Sequence, residues 1–359
     1  MHRLEKICLT QFRNYTRREF QLTTPVIGIT GPNGSGKTNL LDAVYYLCYT
    51  KSYFQSREWN NVQHGTDGFR ISGVWHDDHT DNRDEVVCVW KEGKKTVLFN
   101  DSEYERLSDH IGRYNAVMIA PDDISLINEG SELRRKYMDG ILAQTDMAYL
   151  SHLLQYQKIL AQRNACLKQV AIPPDHQLLD VYDAQLAQYG SYLIRRRMEL
   201  AQQFPEQVRL YYGQLSGGKE KVSVLYKPSA LPDALYQQIS NARSRDMELR
   251  RTTTGPHTED WQFMMDDNIL KTHASQGQKK SFLISLKLAH IYLLSRSEKY
   301  PVLLLDDIFE KLDRQRLDRM FELLKSCSLP QMLFTHTDAD DMKRQLSHIT
   351  ESAQLITML

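Results

Sequence analysis

Apolar positions in residues 3–30 recur at strand spacing. Leu4, Ile7 and Leu9 form one run, Phe20 and Leu22 another, and Val26, Ile27 and Ile29 a third. The spacing turns helical in NLLDAVYYLC, so the third run is a strand that turns directly into a helix. ISGVW (71–75), EVVCVW (85–90) and KTVLF (95–99) alternate apolar and polar positions and are joined by polar turns, which predicts an antiparallel layer. From Ser131 to about Gly213 the period is helical. Leu150, Leu153, Leu154, Gln157 and Leu160 share one face, and Leu186, Tyr189, Leu193 and Ile194 begin another. IPPD (172–175) divides the two, because consecutive prolines cannot continue a helix, and no heptad persists into a coiled coil. PVLLLDD (301–307) and MLFTH (332–336) have the continuous apolar form of parallel strands buried on both faces. The expectation is an α/β protein in three stretches. Residues 1–130 and 214–359 form a nucleotide-binding head with an antiparallel β layer, and residues 131–213 form an inserted, mainly helical lobe.

The junction of strand and helix reads GPNGSGKT, Gly31 to Thr38. This is the P-loop pattern in the context it needs. Backbone N–H groups of such a turn and the positive end of the following helix cradle phosphates. Gly34 and Gly36 allow close approach of the backbone, Lys37 reaches the β and γ oxygens, and Thr38 ligates Mg²⁺. PVLLLDD then reads as the strand that delivers carboxylates: Asp306 to Mg²⁺ through water, and Asp307 to the attacking water. The 268 residues between Thr38 and Asp306 exceed what a compact kinase needs, in agreement with an insertion.

ATPases of the ABC and SMC class place a Ser-x-Gly-Gln-like loop at a helix start, where it meets the γ phosphate held by the opposite subunit. Two stretches compete for that role. LSGGK (215–219) matches better by letter, but the strand-like KVSVLYKP follows it, so it is assigned as a turn. ASQGQKK (274–280) is followed by Phe282, Leu286, Ala289 and Leu293 on one helical face. The signature is therefore assigned to Ser275, Gln276, Gly277 and Gln278. EKLD (310–313) occupies the place of a D-loop, and His336 that of a switch histidine sensing the γ phosphate. Arg13, in the FRNY turn, is from its residue type alone a solvated arginine. The cluster His76, Asp77, Asp78 and His79 is a solvated turn, since no further ligand has metal-site spacing.

Lys plus Arg and Asp plus Glu number 45 each among 359 residues, so a nucleic-acid partner would need a local positive field or one made by assembly. Candidate phosphate contacts are Arg134, Arg135 and Lys136, Arg195 to Arg197, Arg243, Arg245, Arg250 and Arg251, and Lys279 and Lys280. The five scattered cysteines fit a reducing compartment, and no apolar run has signal-peptide or membrane-spanning form. The expectation is a cytoplasmic protein with no membrane partner.

FRNY, GPNGSGKTNLLDA, PDDISLINEGSELRRKYMD (121–139), YQKILAQRNACLK (156–168), TGPHTED (254–260), ASQGQKK and LLLDD together resemble the RecF recombination-repair proteins over essentially the whole chain. The resemblance implies an SMC-like ATPase head with a short second lobe in place of a coiled coil. It implies ATP and Mg²⁺ as cofactors, ATP-dependent homodimerisation, binding to double-stranded and gapped DNA, and work with RecO and RecR in loading RecA. It also implies that Gly31, Pro32, Asn33, Gly34, Ser35, Gly36, Lys37, Thr38 and Asn39 hold the nucleotide, and that Arg13 touches it. Three departures stand out. EKLD differs from the usual D-loop at Glu310 and Lys311, and no Q-loop glutamine can be chosen between Gln55 and Gln63. Asp307 also sits where transport ATPases have glutamate, and its shorter reach predicts slow hydrolysis suited to a timing switch. A membrane transporter's energising subunit uses the same P-loop and signature but not the helical insertion, and a small-molecule kinase would not need Ser275.

Overall fold

The computed structural model describes residues 1–169, 175–309, 313–327 and 329–359. Most of IPPD, and Glu310, Lys311 and Leu312 of the predicted D-loop, lie outside them. The chain divides into two compact units. One comprises Met1–Ile124, Tyr211–Gly218 and Ser275–Leu359, the other Ser125–Leu210 and Lys219–Ala274.

The first unit is a head built on two sheets. Its parallel sheet has the order β14-β3-β13-β12-β8: Gln354–Thr357, Val26–Thr30, Gln331–His336, Val302–Leu305 and Ala116–Ile119. Its antiparallel sheet has the order β2-β1-β4-β5-β6-β7: Tyr15–Gln21, His2–Phe12, Gly68–Asp77, Arg83–Lys91, Lys94–Phe99 and Ser102–Glu103. Alternation along the parallel strands divides the apolar side chains between two cores. Ile27, Ile29, Met118, Leu304 and Leu333 pack with helix α1 (Lys37–Tyr49) and with Leu4, Ile7, Ile71 and Val86 of the antiparallel sheet. Val26, Ile119, Leu303, Leu305 and Phe334 point the other way, onto helices α9 (Gln276–Arg296), α10 (Arg314–Ser326) and α11 (Ala339–Ser347). Strands covered on both faces must be apolar throughout, which is why they read as unbroken runs.

The second unit combines helices with a small sheet. Helices α4 (Met147–Leu167) and α5 (His176–Ser216) run antiparallel: the rings of His152 and Tyr192 stack at 4.2 Å, and Arg163 Nε donates to Asp183 at 2.7 Å. Helix α3 (Ser131–Thr145), α6 (Leu235–Asn241) and α7 (Arg243–Leu249) join them, as does a three-stranded sheet of β9 (Val222–Lys227), β10 (Asp260–Met265) and β11 (Asn268–Ile269). The unit thus extends well beyond the 131–213 span expected. Strand periodicity identified β9 but could not say which sheet it joins. LSGGK spans the end of α5, whose last turn belongs to the first unit: Leu215 and Ser216 are still helical, Gly217 and Gly218 turn with φ of 76° and 77°, and Gly218 N–H donates to Gly213 O at 3.0 Å. No helix among the described residues is long and apolar enough to cross a membrane.

Candidate nucleotide site

The P-loop leaves the C-terminal end of β3 and enters α1 at Gly36, whose φ of 103° suits glycine. A β-carbon there would lie 2.6 Å from Asn14 Nδ2 and 2.7 Å from the Tyr15 hydroxyl. Helix α1 begins with no side-chain cap and no acidic residue in its first turn. Its orphan N–H groups and positive end are thereby left for an anion. Lys37 is buried and folds back over the loop, donating to Gly31 O at 2.8 Å and Pro32 O at 3.0 Å.

Strand order brings the distant half of the site alongside. Strand β13 pairs in parallel with both β3 and β12, so the ends of all three share one sheet edge. There the Thr38 hydroxyl lies 2.9 and 3.0 Å from the two Asp306 oxygens. Thr335 joins them, donating to Asp306 Oδ1 at 2.8 Å and accepting from Asp307 N–H at 2.9 Å. Burial pushes the Asp306 pKa up. Hydrogen bonds from Thr335 and Thr38 act against that, the neighbouring Asp307 reinforces it, and Lys37 opposes it weakly. A carboxylate so poorly solvated gains from a divalent cation. No cluster of three or more His, Cys, Asp or Glu able to hold a metal occurs among the described residues. Thr38 and Asp306 could therefore supply only part of a Mg²⁺ shell, the pattern in which phosphates and water complete it.

Among the described residues, several buried polar atoms at this edge have no partner: Thr30 Oγ1, Ser35 Oγ, Asp307 Oδ1 and His336 Nδ1. The residues therefore fit a polyanionic ligand with its water and cation. Asp307 is held at φ 45°, a left-handed conformation unusual for a non-glycine residue. The His336 ring is fixed by Asp341, which accepts from or faces Nε2 at 2.9 Å, and by the ring of Phe309 at 5.6 Å.

The FRNY turn lies behind the loop. Tyr15 donates to Gly36 O at 2.9 Å and Asn39 Nδ2 donates to Asn14 at 2.8 Å. Arg13 is not a solvated side chain. It pairs with buried Asp42 and donates to Asn39 Oδ1 at 2.7 Å, Ser52 Oγ at 3.0 Å and Asn61 Oδ1 at 3.2 Å. Most of its donors are engaged within the chain, so it braces the start of α1. Neither this brace nor the part played by Thr335 was foreseen, since each depends on chain segments far apart in sequence.

Ser275 caps α9 through a capping box. Its Oγ accepts from Gln278 N–H at 3.3 Å, and Gln278 Oε1 accepts from Ser275 N–H at 2.7 Å. The pattern Ser-x-x-Gln was legible in the sequence. It commits the Gln278 side chain to the cap, while Ser275 and Gln276 remain exposed, with Gly277 between them and Gln278. Gln276 and Lys280 also line a cleft of about 250 Å³ with Asp306, Asp307 and Asp123.

Of the two Q-loop candidates, Gln63 donates to Thr16 Oγ1 at 2.9 Å and Gln55 accepts from Asn60 at 3.1 Å. The proposed phosphate contacts are reduced much further. Arg134 is paired with Asp260, Arg195 with Asp233, Arg196 with Asp146 and Glu199, Arg197 with Asp139 and Glu259, and Arg243 with Asp180 and Asp183. Arg135 donates to Glu259 O at 2.6 Å, and Lys136 pairs with Glu132. Arg245, Arg250 and Arg251 are exposed. The turn of His76 to His79 is held by its own contacts, His76 with Asp81 and Asp77 with Thr80.

The family described as "RecF/RecN/SMC N terminal domain" matches residues 3–354. A protein of Flavobacterium johnsoniae named DNA replication and repair protein RecF is 38% identical over 341 residues, covering 94% of each chain. One of the same name from Phocaeicola vulgatus is 36% identical over 96% of this chain and 94% of its own. Among solved structures, one described as the recombination mediator protein RecF-ATP in the RecFOR pathway superposes with a TM-score of 0.86, at 27% identity over 95% of both chains. An Smc head domain from Pyrococcus furiosus, bound to the C-terminal domain of ScpA, matches at a TM-score of 0.55 and 16% identity over 96% of this chain and 92% of that one, a likeness of fold.

Proposed function

The chain belongs to the RecF family within the RecF/RecN/SMC proteins, and on that premise we propose that it is an ATP-dependent DNA-binding protein of replication and recombinational repair. The observation that carries the reading is the meeting of Thr38 with Asp306 across 268 residues, beside an Asp307 oxygen that lacks a partner among the described residues. Bound MgATP would supply the charge that this edge is built to receive and the anhydride to be cleaved. Gly31 to Asn39 hold the phosphates, Thr38 and Asp306 the cation, Asp307 the attacking water, and His336 the γ end. Arg13 acts from behind, through Asn39. Ser275, Gln276 and Gly277 are exposed or nearly so at an N-terminal helix end, and they complete the site of a second copy. ATP thus pairs two chains into a homodimer that holds double-stranded or gapped DNA, and slow hydrolysis releases it. RecO and RecR are the partners, RecA loading is the outcome, and the protein works in the cytoplasm.

The test is sedimentation with and without ATP, on duplex and gapped DNA. Wild type should pair with ATP, Asp307→Asn should stay paired on DNA, and Lys37→Met and Ser275→Arg should remain monomeric. Wild type that stays monomeric at saturating ATP, or Asp307→Asn that turns over normally, overturns the reading. Co-purification with a membrane subunit would favour the transport-ATPase alternative.

A further inference from the structure

A chain of buried polar contacts runs through the head from the P-loop helix to the helix that begins at Ser275. It starts at Asn39, which accepts from Arg13 at 2.7 Å, and passes to Asp42, the ion partner of Arg13. Asp42 is fully buried on α1. It accepts from Ser52 Oγ at 2.7 Å and from Tyr53 N–H at 2.6 Å. The Tyr53 hydroxyl then donates to Asp123 Oδ1 and accepts from Lys287 Nζ at 2.9 Å, and Lys287 also pairs with Asp123 at 3.2 Å. Lys287 lies on α9, and Asp123 follows β8, where its other oxygen accepts from Ala120 N–H at 2.9 Å. Tyr53 therefore has its backbone tied to α1 and its hydroxyl tied to α9.

We propose that Tyr53 is a positioning residue that couples the P-loop helix to α9 of the same chain, so that nucleotide at Gly31–Asn39 governs how Ser275 is presented to a second copy. The inference rests on the composite site proposed above and specifies how one half of it is made dependent on the other. Its physical basis is the placement of two carboxylates and an ammonium group in the protein interior. Asp42, Asp123 and Lys287 are 5% exposed or less. Burying ionised groups is costly unless geometry and further hydrogen bonds compensate, and such networks are best attested as devices that fix register. The Tyr53 ring is held independently by Tyr45 and Phe54, at centroid distances of 4.9 and 5.3 Å. Removing the hydroxyl therefore breaks the connection without emptying the space. Asp123 also borders the cleft that contains Asp307 and Gln276, so a shift at this node reaches both the hydrolytic carboxylate and the signature loop.

Tyr53→Phe should leave the nucleotide Kd of the dilute monomer within about threefold of wild type and weaken ATP-driven pairing about tenfold, the scale of one hydrogen bond to charged groups. Lys287→Gln should give the same split, and the double variant should lose no more than the worse single one, because both cut the same connection. A role limited to local packing would move both constants or neither. If Tyr53→Phe pairs as wild type does, or if the losses of the two variants add, the coupling is overturned alone. A wild-type chain that binds nucleotide but does not pair overturns the composite site, and the coupling with it.

Discussion

The nucleotide edge of the head and the polar core of the lobe are both rich in ionisable side chains, and they differ in what those side chains lack. In the lobe, Arg197 donates to Asp139, Glu259 and Pro256 O at 2.6–2.7 Å, and Tyr226 adds a bond to Glu259 at 2.6 Å. Arg163 meets Asp183, Asp246 and Thr252. Its Nη2 and the Trp261 Nε1 are the lobe's buried side-chain atoms without a partner among the described residues, and they sit on different elements. At the nucleotide edge, four such atoms gather on one strand edge and the loop beside it. Buried polar groups ordinarily find partners, so a concentration of unmet ones marks a place for a ligand, while a saturated network marks a scaffold.

The largest effect should come from breaking the scaffold. Arg197→Met leaves buried Glu259 and half-buried Asp139 without their cation, a loss of about 3–5 kcal/mol. Urea unfolding should show it, while the nucleotide Kd of the folded protein stays within about threefold. A tenfold change in Kd at unchanged stability would erase the distinction between the two regions. Asp307→Asn should do the reverse, lowering turnover by about 100-fold or more with no loss of stability. Phosphate release and thermal unfolding measured on one preparation decide it, and a destabilised Asp307→Asn would mean that its carboxylate is structural.

TGPHTED illustrates why a motif's letters do not reveal which kind of region it belongs to. Its His257 lies 2.7 Å from the Tyr156 hydroxyl and 3.0 Å from Thr252 O, and its Glu259 serves Arg197, so the motif is internal scaffold. GPNGSGKT and LLLDD were readable because each packs its chemistry into consecutive residues flanked by an unmistakable strand or helix. Thr335 was not, because its contact with Asp306 arises from the pairing of β13 with β12. The arginine clusters show a related limit. Charge is visible in sequence, but a carboxylate such as Asp146, which pairs with Arg196 from 50 residues away, is not visibly a partner. The same limit hid the second half of the lobe, since an alternating strand looks alike in either sheet.

Acid should act on the head more gently, through one buried histidine. His290 lies on α9, and burial, with a smaller contribution from Lys287, pushes its pKa down to about 3. The folded value is below the ordinary value of 6.5, so the unfolded chain takes the proton first. This stabilising contribution is complete above pH 6.5 and declines as pH falls toward 3, by up to ~1.4 kcal/mol per unit. Between pH 6.5 and 5, wild type should lose about 2 kcal/mol more than His290→Leu in urea unfolding. Equal acid slopes would show that the site does not titrate.

The smallest effect tests the same contrast among arginines. Arg243 is held by Asp180 and Asp183, whereas Arg250 and Arg251 are exposed. An arginine whose charge is already balanced within the fold neutralises little phosphate charge and so displaces few of the DNA's counterions, adding little to the salt dependence of DNA binding. Arg251→Ala should therefore weaken duplex binding a few-fold, equally across sequences, and reduce the slope of log K against log salt by about one. Arg243→Ala should leave that slope unchanged and lower stability instead. If Arg243→Ala flattens the slope while Arg251→Ala does not, satisfied pairing inside the fold is no guide to which cations meet DNA.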